Sequence, residues 1–144
     1  MGDILAPMTD TAERRARWLA PALLTLGSLG CAATWILLAL ASDRQCSWMA
    51  LLAGLDAAFL LRLAGMARGR ARMFLALIGT AAAIVIANWG IAAGQIGHLL
   101  GLLPWESALK LGPNYAWTLV GMVNTPAELA WLAAGLLLAA IATR

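Results

Sequence analysis

Six polar side chains stand where an otherwise apolar sequence has little reason to keep them: Asp56, Asn88, Gln95, His98, Asn124 and Glu128. Two are carboxylates, one is an imidazole and three are carboxamides. Two carboxylates around one reacting atom are ordinary equipment for general acid–base catalysis. The same pair along a path between helices can carry a proton or a cation. Carboxamides alone do neither, but they hydrogen-bond one helix to another. Asn88, Gln95 and His98 follow at steps of seven and three, which puts them near one helix face.

Each of these residues also has a structural explanation. Asn124-Thr125-Pro126-Ala127-Glu128 reads as a helix start, with Thr125 as N-cap, Pro126 in the first turn and Glu128 closing a capping box. His98 is the only histidine and has no nearby cysteine, so zinc and haem lack ligands. No metal and no cofactor is expected. Asp56 is the hardest to explain, because a carboxylate deep in an apolar helix must be protonated, hydrated or paired. Asp43, Arg44 and Gln45 read as a solvated turn. The expectation is that Asp56, Asn88 and either Asn124 or Glu128 converge on one cavity, with Gln95 and His98 toward its mouth.

The elements that would position these groups are long apolar runs. A bilayer core of about 30 Å takes about 20 helical residues to cross. Runs of that order cover residues 18–41, 48–65 and 73–95, and a fourth covers 117–142, or 126–142 if Pro126 opens the helix. A short interfacial helix fits 104–111, ended by Gly112-Pro113. Composition agrees, with 62% hydrophobic and 12% charged residues against about 25% charged in globular chains. The reading is all-α: a polytopic membrane four-helix bundle forming one domain over residues 1–144.

Orientation follows from the arginines. Arg14, Arg15, Arg17, Arg62, Arg68, Arg70, Arg72 and Arg144 fall at one end of the runs, while Arg44 and Lys110 fall at the other. Basic residues of short loops stay in the cytoplasm, which places both termini inside. Trp18, Trp48, Trp105, Tyr115 and Trp117 stand near the boundaries where amphipathic rings collect. The preference for Arg over Lys points to a bacterial inner membrane. The basic residues anchor loops and make no aromatic-studded patch, so no nucleic acid is expected as partner.

The first run also resembles a signal peptide, with Ala39-Leu40-Ala41 as a cleavage site. Its 24 apolar residues exceed the roughly 7 to 15 of such a segment, so an uncleaved anchor is expected. Cys31 and Cys46 differ in depth by about 16 Å along a helix, too far for a disulfide.

The third run keeps one side small. Ala76, Thr80, Ala83, Ala87, Gly90, Gly94, Gly97 and Gly101 recur at steps of four and three. Such a face lets a neighbouring helix approach closely. The neighbour belongs either to the same chain or to a partner.

Val123-Asn124-Thr125-Pro126-Ala127-Glu128 resembles the Asn-x-Ala-Asp approach to the last helix of lipoprotein signal peptidases, which have four helices with both ends inside. The sequence departs from that pattern at its centre, with Glu128 for Asp, one inserted residue and no Asp in the third run. It is therefore not assigned to them. No nucleophile elbow, phosphate loop or dinucleotide fingerprint is present. Three functions fit. The first is a non-enzymatic accessory subunit that packs with a partner, or with further copies, through the third helix. The second is a small oligomeric transporter or channel using Asp56 and Glu128. The third is an enzyme acting on a lipid, quinone or lipid-linked substrate at the periplasmic side. Membrane lipid is a partner in all three.

Overall fold

Long apolar sequence becomes long helix twice in this chain, the first time straight through Pro21. The computed structural model describes residues 6–144. Helix α1 runs Ala6–Ser42 and α3 runs Arg70–Leu100, with α2, Met49–Leu63, between them. Two short helices follow, α4 at Pro104–Lys110 and α5 at Pro113–Val123, before α6 at Pro126–Ala142. No strand occurs among the described residues. Two helices, α1 and α3, are long and apolar enough to cross a membrane, and the bent pair α5–α6 passes the same test only when taken together.

Helix lengths depart from the expected spans for local reasons. At 1.5 Å per residue, α1 with 37 residues and α3 with 31 rise about 55 and 46 Å. Neither charge before Trp18 nor glycine after Ala93 stops a helix that has apolar neighbours to pack on. Helix α3 ends only where Gly101 takes the left-handed conformation, φ 67°, and Leu102 N–H donates to Gly97 C=O at 2.8 Å. Helix α2 has 15 residues rather than the 18 of the apolar run, because the chain is still turning at Trp48.

The last run is not one helix. Helices α5 and α6 meet at 105°. Proline cannot continue a helix and holds the residue before it in extended geometry. Thr125 is extended, with ψ 162°. Its hydroxyl accepts from Glu128 N–H, and the Glu128 carboxylate accepts from Thr125 N–H at 2.7 Å. Of the two starts open to the sequence, α6 begins at Pro126. The separate helix α5 was not anticipated; Pro113 in its first turn starts a new helix rather than ending the outer segment.

Small residues set the helix pairs. Helices α1 and α3 lie side by side in the same direction. A Cβ at Gly79 would stand 2.5 Å from Leu24 Cδ1 and one at Gly94 would stand 2.7 Å from Leu40 Cδ1, while Gly90 abuts Ile36. Gly90 and Gly94, expected to meet a helix of this chain or of a partner, thus meet α1 of the same chain. Gly97 faces α4 through Ser107, and Gly101 is exposed at the helix end. Ala83 and Ala87 are buried between these contacts.

Helices α2 and α6 form the tightest contact, and they too run parallel. Gly135 lies against the Ala50 carbonyl, and a Cβ at Gly54 would stand 2.5 Å from Gly135 O and 3.3 Å from Ala139 N. Ala50 and Gly54 on one helix, with Gly135 and Ala139 on the other, form reciprocal small-x-x-x-small pairs. Two apolar clusters fill the bundle. One joins Leu24, Leu61, Ala76 and Ala139 near the arginine-rich end. The other joins Trp35, Met49, Ala87 and Ile91 toward the opposite end. Both cysteines are free thiols.

Candidate functional site

The centre of the polar arrangement is a residue that sequence alone places in water. After α1 the chain reverses through Asp43 and Cys46, both with φ 50°. Left-handed backbone is uncommon for residues with a Cβ and marks a tightly held turn. Arg44 N–H reaches back to Ala39 C=O at 3.2 Å, and Trp35 Nε1 donates to Gln45 C=O at 2.9 Å. Trp35 is fully buried, so this bond fixes the turn to the core. Gln45 is thereby folded inward and is only 9% exposed. The solvated turn expected over Asp43, Arg44 and Gln45 holds for the two charged residues and fails for the third.

Three carboxamides then meet. Gln45 Nε2 donates to Asn88 Oδ1 at 2.7 Å and lies 3.4 Å from Asn124 Oδ1. Asn124 Nδ2 donates to the same Asn88 oxygen at 3.0 Å and to Val120 C=O at 2.8 Å. Asn88 Nδ2 donates to Ile84 C=O at 2.9 Å, one turn back in its own helix. The cluster therefore ties the α1–α2 turn, the middle of α3 and the end of α5 into one unit. Every amide nitrogen is satisfied. One acceptor, Gln45 Oε1, is buried without a partner, and such a group costs about 1–3 kcal/mol.

The other expected members are distributed around this cluster or away from it. Gln95 and Glu128 are half-buried and line an opening beside Gln45, together with Asp43, Arg44 and Trp131. Glu128 is occupied by its capping bond to Thr125 N–H. His98 is exposed near the end of α3 and does not line that opening. On the far side of Asn88 and Asn124, a cavity of about 370 Å³ opens between α3, α5 and α6, walled by Trp89, Trp117 and Leu132.

Asp56 is the correction. It lies in a separate groove between α1 and α2, beside Gly27 and Cys31, whose lining includes none of Asn88, Asn124 and Glu128. Direction around the helix is one reason. Two residues along a helix turn it by about 200°. Asp56 follows Gly54 by two, and Gly54 faces α6; the carboxylate therefore points away from the helix that carries Glu128. Depth separates the two carboxylates as well: with Gly54 beside Ala139 in this parallel pair, Asp56 is level with residue 141, thirteen residues or about 20 Å along α6 from Glu128. The acid–base pair and the carboxylate path expected from Asp56 with Glu128 are not assembled.

What the arrangement can do is accordingly limited. The amide cluster contains no titratable group and fixes geometry. No three of His, Cys, Asp and Glu come together in a metal-binding set among the described residues. Asp56 is left as an ionisable side chain facing outward from the bundle. Comparison with protein-family models, curated proteins and solved structures finds no match. The site is read from its own chemistry.

Proposed function

We propose that the chain is a non-catalytic accessory or assembly subunit of the bacterial inner membrane, crossing it four times with both termini in the cytoplasm. Helices α1 and α3 are each long enough to cross, and α2 and α6 run back beside them as a parallel pair held through Gly54 and Gly135. Eight of the ten basic residues lie at the end shared by the start of α1, the α2–α3 turn and the end of α6, which supports cytoplasmic termini. A membrane-impermeant maleimide applied to intact cells should label Leu109→Cys and spare Ala71→Cys, in a background without Cys31 and Cys46. Labelling of both from outside would end this topology.

The observation that carries the accessory reading is closure of the amide cluster. Gln45, Asn88 and Asn124 direct their hydrogen bonds to one another and to carbonyls, which is a device for holding helices and not for moving protons. The small face of α3 is met by α1, so a partner must use another surface. The outward apolar residues offer two: Leu55 and Phe59 on α2, and Val85 on α3. A photoreactive phenylalanine analogue at Leu55, Phe59 or Val85 should give one discrete adduct with another membrane protein in cells. Adducts with lipid alone from all three positions would remove the accessory reading. The cavity beside Trp89 and Trp117 favours a second reading, in which an apolar lipid or quinone tail is held under α5.

A further inference from the structure

The groove that holds Asp56 has the features of a binding surface for a particular kind of helix. Asp56 is the midpoint of α2, seven residues from Met49 and seven from Leu63. Its Oδ2 stands 3.0 Å from where a Cβ on Gly27 would be, so the carboxylate rests against bare α1 backbone. It has no hydrogen bond or ion pair with any described residue. Gly30 beyond it faces open space, with nothing within 4 Å of a Cβ built there. The Thr34 hydroxyl in the same groove is already committed to Gly30 C=O at 2.9 Å. Exposed Leu55 and Phe59 form the apolar rim.

We propose that this groove docks a transmembrane helix of another protein, one that carries a lysine or arginine at mid-span. The inference rests on the accessory reading and names the partner's chemistry. An unpaired carboxylate in an apolar setting is costly, and a cation from a neighbouring helix removes that cost. Gly27 is covered by Leu60 and Asp56 of α2, but Gly30, one turn along and open, lets an incoming backbone come close enough to bring the cation to Asp56. A second copy of this chain offers no such group, because all of its basic residues lie toward helix ends. The nearest along α2 is Arg62, six residues or about 9 Å further on. A phospholipid does not serve either, since its cationic group stays at headgroup level while Asp56 lies halfway along its helix.

The full-length protein in phospholipid nanodiscs supplies the test, with fluorescent Leu/Ala transmembrane peptides bearing one central Lys, Leu or Asp as probes. Energy transfer should report that the Lys peptide associates at least tenfold more tightly than the Leu peptide. Asp56→Leu should abolish that difference, and Asp56→Lys should transfer the preference to the Asp peptide. Gly30→Leu fills only open space, so it should weaken Lys-peptide binding while leaving unfolding unchanged. Equal binding of Lys and Leu peptides, or a preference that survives Asp56→Leu, overturns the proposal. Self-association that requires Asp56, without peptide binding, overturns it in favour of a second copy. If adducts from Val85 persist in cells while the peptides fail, the groove assignment falls and the accessory reading stands.

Discussion

Gly135→Leu should release α6 from the bundle. The Gly135 Cα faces the Ala50 carbonyl so closely that even a methyl would overlap it, and would stand 2.8 Å from Ala50 Cβ. The obstacle is backbone, which cannot rotate away as a side chain can. Gly135→Ala should cost about 2–3 kcal/mol, the upper part of the usual range for overpacking, and Gly135→Leu more. Ala139, fully buried one turn further on, is the reporter. Ala139→Cys should resist maleimide in the otherwise cysteine-free protein and react readily once Gly135→Leu is added. Gly121, with nothing within 4 Å of a Cβ, provides the control. Matching stability of Gly135→Leu and Gly121→Leu would show that the α2–α6 contact is not what holds the last helix.

The second large effect belongs to Asn88. Its Oδ1 is the shared acceptor of Gln45 Nε2 and Asn124 Nδ2. Asn88→Leu leaves the buried Gln45 donor only its long, 3.4 Å bond to Asn124 Oδ1, while Asn124 Nδ2 keeps only its bond to Val120 C=O. The loss should be about 2–3 kcal/mol, the cost of leaving buried polar groups unmatched. It should be felt first in the turn after α1, where the Cys46 thiol becomes faster to alkylate. Replacing Gln45, Asn88 and Asn124 together by leucine should recover part of the loss, since no donor is then stranded. A triple variant less stable than Asn88→Leu, with unchanged Cys46 alkylation, would count against an amide cluster that acts as a unit.

These two sites show what a sequence makes legible and what it hides. Hydropathy located α1 and α3, and the Thr125–Glu128 capping pattern located the start of α6, because both signals act within one turn or one run of chain. The depth of Asn88 and Asn124 could be counted from the helix ends. The direction of Asp56 could not, since it depends on which face of α2 meets α6, and that is decided by one glycine on each helix. The eye is drawn to the many glycines of α3 rather than to lone Gly54 and Gly135. Gln45 was hidden by its neighbours Asp43 and Arg44, whose charges mark water even though two left-handed residues turn the chain back beneath them. Arg72 is hidden in the same way: it reads as a loop anchor, yet it is only 6% exposed in the first turns of α3.

The shortness of α2 bears on the surrounding lipid. Its 15 residues rise about 22 Å and the 17 of α6 about 25 Å, against a hydrocarbon layer of about 30 Å. If both helices cross as proposed, the bilayer must thin along that flank, at a cost of fractions of a kcal/mol for each ångström of mismatch. Helices α1 and α3 would impose no such deformation, leaving the membrane in that arrangement pinched on one side of the protein and of ordinary thickness on the other. Two pinched rims cost less when shared than when separate. The flank would therefore draw the protein toward thin regions of membrane and toward neighbours whose own helices are short.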